Sequence, residues 1–266
     1  MSAASQEACR ALLHAHERDL WLTTLFAPVE KRAALCALYA FHYEIRRIAD
    51  LVRDPLPGEI RLQWWREALA GEREGEMLAH PVAAGVRETI ERHALPLQSF
   101  LDLIDARTFD LYHDPMPDRV QLEFYCGAIF GAVTRLACLI LAVPGRDPGG
   151  AAACGHAGVA LGIVEILRRY AWHFSRGRSF IPADILARKT AFAEMCTLAR
   201  EHRALTMKAL GALAPEARKI LRPAFLPLAL TELYLRRMER RGFDPARSAV
   251  DVPQWRRQWA LWRAAR

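Results

Sequence analysis

The sequence lacks the cysteine spacing of a structural metal site. Its six cysteines include no CxxC pair, and the gaps between them are long and irregular. A structural zinc site is therefore not expected. Five of the six lie in apolar runs, where a free cysteine usually packs as a small hydrophobic residue. The sequence accordingly predicts buried, reduced thiols and a reducing compartment.

The alternation of apolar and polar residues that marks a half-buried strand is also absent. Apolar residues recur instead at helical spacing along nearly the whole chain, interrupted by proline and glycine. No internal repeat, low-complexity tract or linker divides the chain. With 52% hydrophobic residues the chain can bury a large core. We therefore expect an all-α protein in which residues 1–266 form a single domain.

No segment is long and apolar enough to predict a membrane span. The longest apolar run, 128–144, is interrupted by Arg135 and is shorter than a bilayer requires. The first 19 residues contain Glu7, Glu17 and Asp19, so a secretory signal is not expected. These features predict a cytoplasmic protein, and peripheral contact with a membrane surface stays open.

Lysine and arginine outnumber aspartate and glutamate by 37 to 30, which gives a net charge of +7. Nucleic acid, anionic lipid and a diffusely basic surface would each explain this excess. The sequence has no zinc-finger spacing, no RNP-like aromatic motif and no helix-turn-helix signature. We therefore predict no nucleic-acid partner.

Proline and glycine predict where the helices begin and end. The predicted helices are 28–54, 59–69, 81–93, 97–112, 118–142, 149–174, 191–213, 215–241 with a break or kink at Pro223 and Pro227, and a short one after Pro253.

The predicted helix 28–54 presents Arg46, Arg47 and Asp50 on one face, because they lie three and four residues apart. Carboxylates at this spacing can gather Mg²⁺, which prefers hard oxygen ligands and bridges them to diphosphate. Two of these three residues are arginine, which is always protonated and cannot ligate a metal. Asp50 itself is explained at least as well by an ion pair to Arg46 or Arg47 as by ligand binding.

Residues 39–50 resemble the first aspartate-rich segment of squalene and phytoene synthases, a Tyr-Ala start followed by DDxxD. The five motif positions here read Arg46-Arg47-Ile48-Ala49-Asp50. Residues 176–182, RGRSFIP, resemble the tail that follows the family's second acidic segment. Counted back from this tail, the family's acidic positions hold Arg169, Trp172 and His173, whereas Arg168 matches the family arginine.

The resemblance extends to the middle of the chain. Residues 103–110, LIDARTFD, resemble the family's LIDGMxxD, and residues 125–131, YCGAIFG, resemble YCxxVAG. Asp105 and Asp110 could be remnants of a pocket wall or ordinary carboxylates on a helix surface, and we expect the latter. The resemblance implies an isoprenoid-synthase-like helical bundle with a central cavity.

Several segments, among them 40–45, 57–65 and 162–176, resemble one branch of this family: the mitochondrial complex I assembly factor of this fold and its bacterial counterparts. This branch also lacks both acidic clusters. The resemblance implies a non-catalytic protein that assists assembly of respiratory NADH dehydrogenase at the inner face of a membrane, in the cytoplasm or on the mitochondrial matrix side. The partners would be subunits of that complex. The alternative is a head-to-head prenyltransferase acting on prenyl diphosphates, and Mg²⁺ is expected only in that case.

The arginines of the two altered segments predict a pocket for an anionic ligand, such as an anionic lipid or a prenyl diphosphate, because guanidinium groups bind phosphate in a bidentate manner. The predicted pocket residues are Arg46, Arg47, Asp50, Arg168, Arg169, His173 and Arg176. No catalytic residue and no metal ligand is predicted. The opposing interpretation, given equal weight, is that the arginines pair with Glu44 and Glu165 and close the cavity.

The C-terminus combines tryptophan with arginine. Trp255, Trp259 and Trp262 lie at i, i+4 and i+7, on one helical face, and arginines fill much of the remaining circumference. An amphipathic helix on anionic lipid has this pattern. A helix that packs its three tryptophans into its own core has the same pattern, and we expect the latter.

Overall fold

A computed structural model of the chain describes residues 2–248 and 250–266. Within these ranges the regular structure is helical and includes no strand, which confirms the all-α prediction. The helices are α1 Ala3–His16, α2 Arg18–Thr24, α3 Val29–Leu51, α4 Pro55–Ala70, α5 Glu74–Ala79, α6 Pro81–His93, α7 Leu97–Ala106, α8 Arg119–Cys126, α9 Ala132–Leu141, α10 Ala151–Arg168, α11 Tyr170–Phe174, α12 Ala183–Leu186, α13 Ala191–Gly211, α14 Pro215–Phe225, α15 Leu228–Met238 and α16 Gln254–Ala265. A 3₁₀ helix, Arg107–Leu111, follows α7, and a π-helical segment, Gly127–Gly131, joins α8 to α9.

The predicted boundaries agree best for α6, whereas α4 begins at Pro55, four residues before the predicted start at residue 59. Helix α6 spans Pro81–His93 as predicted, with Pro81 in the first turn and the His80 ring nitrogen accepting from the Ala83 N–H. In contrast, the single helix predicted over 149–174 is interrupted at Arg169, whose backbone leaves helical geometry at φ −97° and ψ 7°. The helix predicted over 97–112 ends as α helix at Ala106 and tightens into the 3₁₀ turn.

The chain groups into two compact units. Unit 1 is formed by the described residues of Met1–Tyr112 together with Arg135–Pro148, and its central helix α3 packs against α1, α2, α4 and α6. The α3 residues Leu35, Leu38, Phe41 and Ile45 are almost completely buried, at the spacing of one broad helical face. The single domain and the central cavity remain predictions.

Unit 2 is formed by His113–Thr134 and Gly149–Arg266, and its central helix α10 packs against α8, the π-helical segment, α13 and α15. Glycine permits the close approach of α10 to the π-helical segment. A Cβ atom at Gly158 would lie 2.2 Å from the backbone nitrogen of Gly131, and one at Gly162 would lie 2.6 Å from the sulfur of Cys126. The small residues of α10 therefore set how closely these two elements pack.

Two helical stretches have the length and composition of a membrane span. They are Arg119–Leu141, 23 residues whose most apolar 18-residue window has a mean hydropathy of 1.8, and Ala151–Arg168, 18 residues with a mean hydropathy of 1.3. The expectation of no sufficiently long apolar segment was wrong by length and composition, because it treated Arg135 as an interruption, whereas a helix of this length can include a charged residue and remain apolar on average. Their most apolar windows are 56% and 61% buried within the protein, as in the core helices of soluble proteins.

All six cysteines are free and buried, as predicted for the five in apolar runs. Burial raises the pKa of the Cys9 thiol to about 12 and that of the Cys196 thiol to about 11. These thiols are accordingly protonated and chemically inert at neutral pH.

Unit 1 should lose stability in acid through His93. Both ring nitrogens of His93 are buried and have no hydrogen-bond partner among the described residues. Burial, with Lys31 and Arg92 nearby, lowers its pKa from 6.5 to about 4. Between these values the unfolded chain binds a proton that the folded chain does not, so stability falls as pH drops from 6.5 towards 4. The total loss in the free energy of unfolding is about 3 kcal/mol, since each pKa unit corresponds to ~1.4 kcal/mol.

The measurement is the free energy of unfolding in urea between pH 7.5 and 4.5, for the parent and for His93→Leu. The free energy of unfolding of His93→Leu should fall less steeply with decreasing pH, and the difference in slope should correspond to at most one bound proton. The control His113→Gln, at an exposed position, should follow the parent. Parallel curves for parent and His93→Leu would contradict the assignment.

Candidate functional site

In unit 1 the altered first motif lies in the last two turns of α3, where Arg46 is anchored by a carboxylate from elsewhere in the chain. Its guanidinium forms an ion pair with Glu17, the residue between α1 and α2, and only 13% of the Arg46 side chain is exposed. The guanidinium also lies 5.4 Å from the centre of the Tyr43 ring. Sequence reasoning missed Glu17 because it is 29 residues away.

Arg47 pairs within its own helix. Its Nε lies 3.1 Å from Glu44 Oε2, and this ion pair is the i, i+3 pair of the opposing interpretation. Burial raises the pKa of Glu44, whereas Arg47 and His16 counteract this rise by favouring the ionised carboxylate. Asp50 is half-buried in the last turn of α3.

The buried His42 lies one turn before Arg46 on α3. Burial holds its pKa well below the usual 6.5, and the positive charges of Arg107 and Arg46 act in the same direction. His42 is therefore neutral at physiological pH. A neutral, buried imidazole beside arginines suits a structural role in the core of unit 1.

In unit 2 the altered second motif lies where α10 ends. Arg168 Nη1 donates to Glu165 Oε2 at 3.3 Å, the second pair of the opposing interpretation. Its guanidinium also lies 4.0 Å from the centre of the Tyr234 ring on α15, a contact that sequence spacing could not predict. Arg169 is half-buried and occupies the break between α10 and α11.

The tail after α11 folds back on it. The carbonyl of His173 accepts from the backbone N–H groups of Arg176 and Arg178, both at 3.0 Å, and Gly177 supplies the positive φ of +68° that this turn requires. The His173 ring meets the Phe180 ring edge-on at 4.8 Å, and the Arg176 guanidinium lies 3.9 Å from the centre of the Trp172 ring.

The mid-chain aspartates have different environments. Asp105 is exposed and pairs with Arg66 at 2.5 Å, as expected for a helix-surface carboxylate. The same expectation was wrong for Asp110, because its carboxylate is 6% exposed and accepts from Arg107 Nη1 at 2.8 Å, and Arg107 is itself 4% exposed. The 3₁₀ turn, which the sequence did not predict, places this pair inside unit 1.

Among the positions that the family uses for Mg²⁺, Asp50 alone retains an oxygen donor. Mg²⁺ prefers carboxylate, carbonyl and water oxygens, and Arg46, Arg47, Arg169 and Trp172 provide no lone pair for a metal. Across residues 2–248 and 250–266 no three His, Cys, Asp or Glu side chains are grouped so that they could hold a metal ion. The residues present therefore do not fit a divalent metal.

Comparison with solved structures places this helical architecture in a known class. The chain superimposes on a dehydrosqualene synthase with a TM-score of 0.78, at 18% identity over 98% of this chain and 95% of that one. It also superimposes on a squalene synthase from Alicyclobacillus acidocaldarius with a TM-score of 0.72. The expected isoprenoid-synthase-like fold is confirmed.

The family description "Squalene/phytoene synthase" matches residues 13–263, and the chain belongs to that family. One relative is the NADH dehydrogenase (ubiquinone) complex I, assembly factor 6, of Bos taurus, 29% identical over 69% of this chain. The match spans 55% of that relative, about half its length. Another is the phytoene synthase of Arthrospira platensis, 25% identical over 97% of this chain and 91% of the relative.

Proposed function

We propose that this chain is a non-catalytic member of the squalene/phytoene synthase family that assists assembly of respiratory NADH dehydrogenase at a membrane surface. The observation that carries the proposal is the replacement of the family's acidic positions by Arg46, Arg47, Arg169, Trp172 and His173. Sequence similarity to complex I assembly factor 6 supports the proposed role in assembly over a catalytic one.

The physical argument concerns charge. Release of diphosphate from a prenyl substrate requires compensation of the negative charge that develops on the leaving group, and Mg²⁺ held by carboxylates supplies it in enzymes of this kind. A helix face that carries arginine in place of those carboxylates repels divalent cations. Arg47 and Arg168 are also occupied by their own neighbours, Glu44 and Glu165.

The alternative function is a head-to-head prenyltransferase that joins two prenyl diphosphates. One observation favours it, namely the match to a phytoene synthase over nearly the full length of the chain. The loss of the acidic positions argues against it, since Asp50 alone remains of the first motif. An anionic ligand, either a prenyl diphosphate or a lipid headgroup, bound without turnover is compatible with the first function.

Deletion of the gene in the organism that encodes this chain tests the assembly role. We expect the deletion strain to contain markedly less assembled NADH dehydrogenase on native gels and less NADH oxidation by its membranes, while succinate oxidation stays normal. Reintroduction of the unaltered chain should restore both. Normal NADH dehydrogenase in the deletion strain would refute the role.

Turnover distinguishes the alternative. Purified protein incubated with radiolabelled farnesyl or geranylgeranyl diphosphate and Mg²⁺ should release no more product than buffer alone. An active family member assayed in parallel serves as the positive control. Product formation that falls when Asp50 is replaced, Asp50→Asn, would establish the enzymatic alternative instead.

A further inference from the structure

The positive charge of the chain is concentrated near its C-terminus. Residues 203–266 contain 14 lysines and arginines and 5 aspartates and glutamates, whereas the whole chain contains 37 and 30. The net charge of +7 therefore comes entirely from this quarter of the sequence, and the remainder is slightly acidic. A diffusely basic surface does not describe this distribution.

Helix α16 presents its tryptophans outwards. Trp255, Trp259 and Trp262 are 64%, 54% and 38% exposed, and the helix instead buries Leu261. The expectation that the three tryptophans pack into the core was wrong. The Arg256 and Arg266 guanidinium groups lie 5.3 Å and 3.3 Å from the centres of the Trp255 and Trp262 rings. The exposed face is therefore both aromatic and cationic.

A groove of about 500 Å³ lies beside α16 within unit 2, formed by the end of α13, by α14, by the start of α15 and by Ala264 of α16. Its walls are apolar side chains such as Met207, Leu210 and Phe225, and its charged residues are all cations: Arg203, Arg218, Lys219 and Arg222. Arg222 also ties the groove to α16, because its Nη1 donates to the carbonyl of Ala265.

Six cations of the groove and of α16 lie without a carboxylate partner among the described residues. Arg203, Arg218, Lys219, Arg222, Arg256 and Arg263 form no ion pair with a carboxylate in the part of the chain that the structure describes, whereas Arg200, on the same helix as Arg203, is held by Glu232 and Glu239. The Nε of Arg203 is buried without a hydrogen-bond partner there. Charges arranged in this way are complementary to an anionic partner.

We infer that α16 and the adjacent groove form a docking surface for an anionic phospholipid bilayer. Tryptophan is enriched at the interface between water and lipid, and basic residues beside it attract anionic headgroups. Nucleic acid would also attract the cations, but it offers nothing to the apolar side chains that line the groove, such as Met207, which is 55% exposed. A bilayer accommodates both kinds of side chain.

Vesicle co-sedimentation of the full chain tests the inference. The chain should bind vesicles of phosphatidylcholine with 30% phosphatidylglycerol, at least tenfold more tightly than vesicles of phosphatidylcholine alone. Binding should weaken in 0.5 M NaCl because the ions screen the headgroup charge. Equal binding to both vesicles, or none to either, overturns the inference.

Two variants test whether the tryptophans and the cations of this surface carry vesicle binding. Trp255→Ala with Trp259→Ala and Trp262→Ala should weaken vesicle binding by at least tenfold, and Arg218→Gln with Lys219→Gln and Arg263→Gln should weaken it by roughly 100-fold. The matched control for charge is Arg53→Gln with Arg61→Gln and Arg146→Gln, three exposed arginines of unit 1. The matched control for exposed apolar area is Val120→Ala with Phe124→Ala, both about 70% exposed on α8.

The control variants should bind as the parent does, and circular dichroism should show unchanged helicity for all four. If the tryptophan variant does not fold, the charge variant and its control decide alone. Undiminished vesicle binding by a folded charge variant overturns the inference, as does binding of a 20-nucleotide single strand through these same residues without vesicle binding. The inference rests on the proposed function only for the identity of the membrane. Failure of vesicle binding refutes the docking surface. Normal NADH dehydrogenase in the deletion strain refutes the assembly role.

Discussion

Replacement of Gly158 by alanine is expected to destabilise the protein by about 3 kcal/mol, the upper part of the range for overpacked cores. The added Cβ would lie 2.2 Å from the nitrogen and 2.4 Å from the Cα of Gly131, and neither backbone atom can rotate away as a flexible side chain can. Helix α10 must therefore shift away from the π-helical segment. Because α10 is the central helix of unit 2, the loss should spread through its packing against α13 and α15.

Gly155, one turn earlier on α10, is the matched control. A Cβ there would meet nothing within 4 Å, so Gly155→Ala should be neutral or should stabilise by about 0.5–1 kcal/mol through helix propensity. Urea unfolding followed by circular dichroism measures both variants. Equal stability of Gly158→Ala and Gly155→Ala would show that the close approach of the two elements is not as described.

The second large effect is expected from the buried ion pair of unit 1. Asp110→Asn leaves the Arg107 guanidinium buried beside a neutral side chain, with 4% of Arg107 exposed to solvent. Removal of one partner of a buried pair costs about 3–5 kcal/mol, because the remaining charge stays out of water and loses its counter-ion. Arg107→Leu with Asp110→Leu should recover most of this loss, since it removes both charges and keeps apolar volume.

The exposed pair Arg66–Asp105 of the same unit provides the comparison. Both side chains are at least 36% exposed, so Asp105→Asn should cost less than about 1 kcal/mol. Differential scanning calorimetry of the parent, Asp110→Asn, the double leucine variant and Asp105→Asn ranks their stabilities. A cost for Asp105→Asn equal to that for Asp110→Asn would contradict the burial of the Arg107 pair.

The contacts of the candidate site divide according to sequence distance. Arg47–Glu44 and Arg168–Glu165 are three residues apart on their helices, and helix geometry alone places such pairs together. The contacts of Arg46 with Glu17 and of Arg168 with Tyr234 join residues 29 and 66 positions apart. The periodicity of the sequence does not predict these two contacts, because they depend on how separate helices pack.

The C-terminal helix illustrates a different limit. Its three tryptophans share a face by sequence alone, but a hydrophobic pattern does not tell which side of a helix finds a partner. In the folded protein the packed side carries Gln254, Arg257 and Leu261, and the tryptophans remain exposed. The prediction of core packing was wrong for this reason.

The sequence by itself determined the all-α class, the first turn of α6 at its proline, the family resemblance and the loss of the acidic positions, because each depends on residue type and local spacing. Only the tertiary structure decided that Asp110 is buried, that α10 approaches the π-helical segment at Gly158, and that the tryptophans of α16 face outwards. These features arise from packing between elements that are distant in the chain. The free energy of each contact depends on both segments together, so neither segment's sequence predicts it alone.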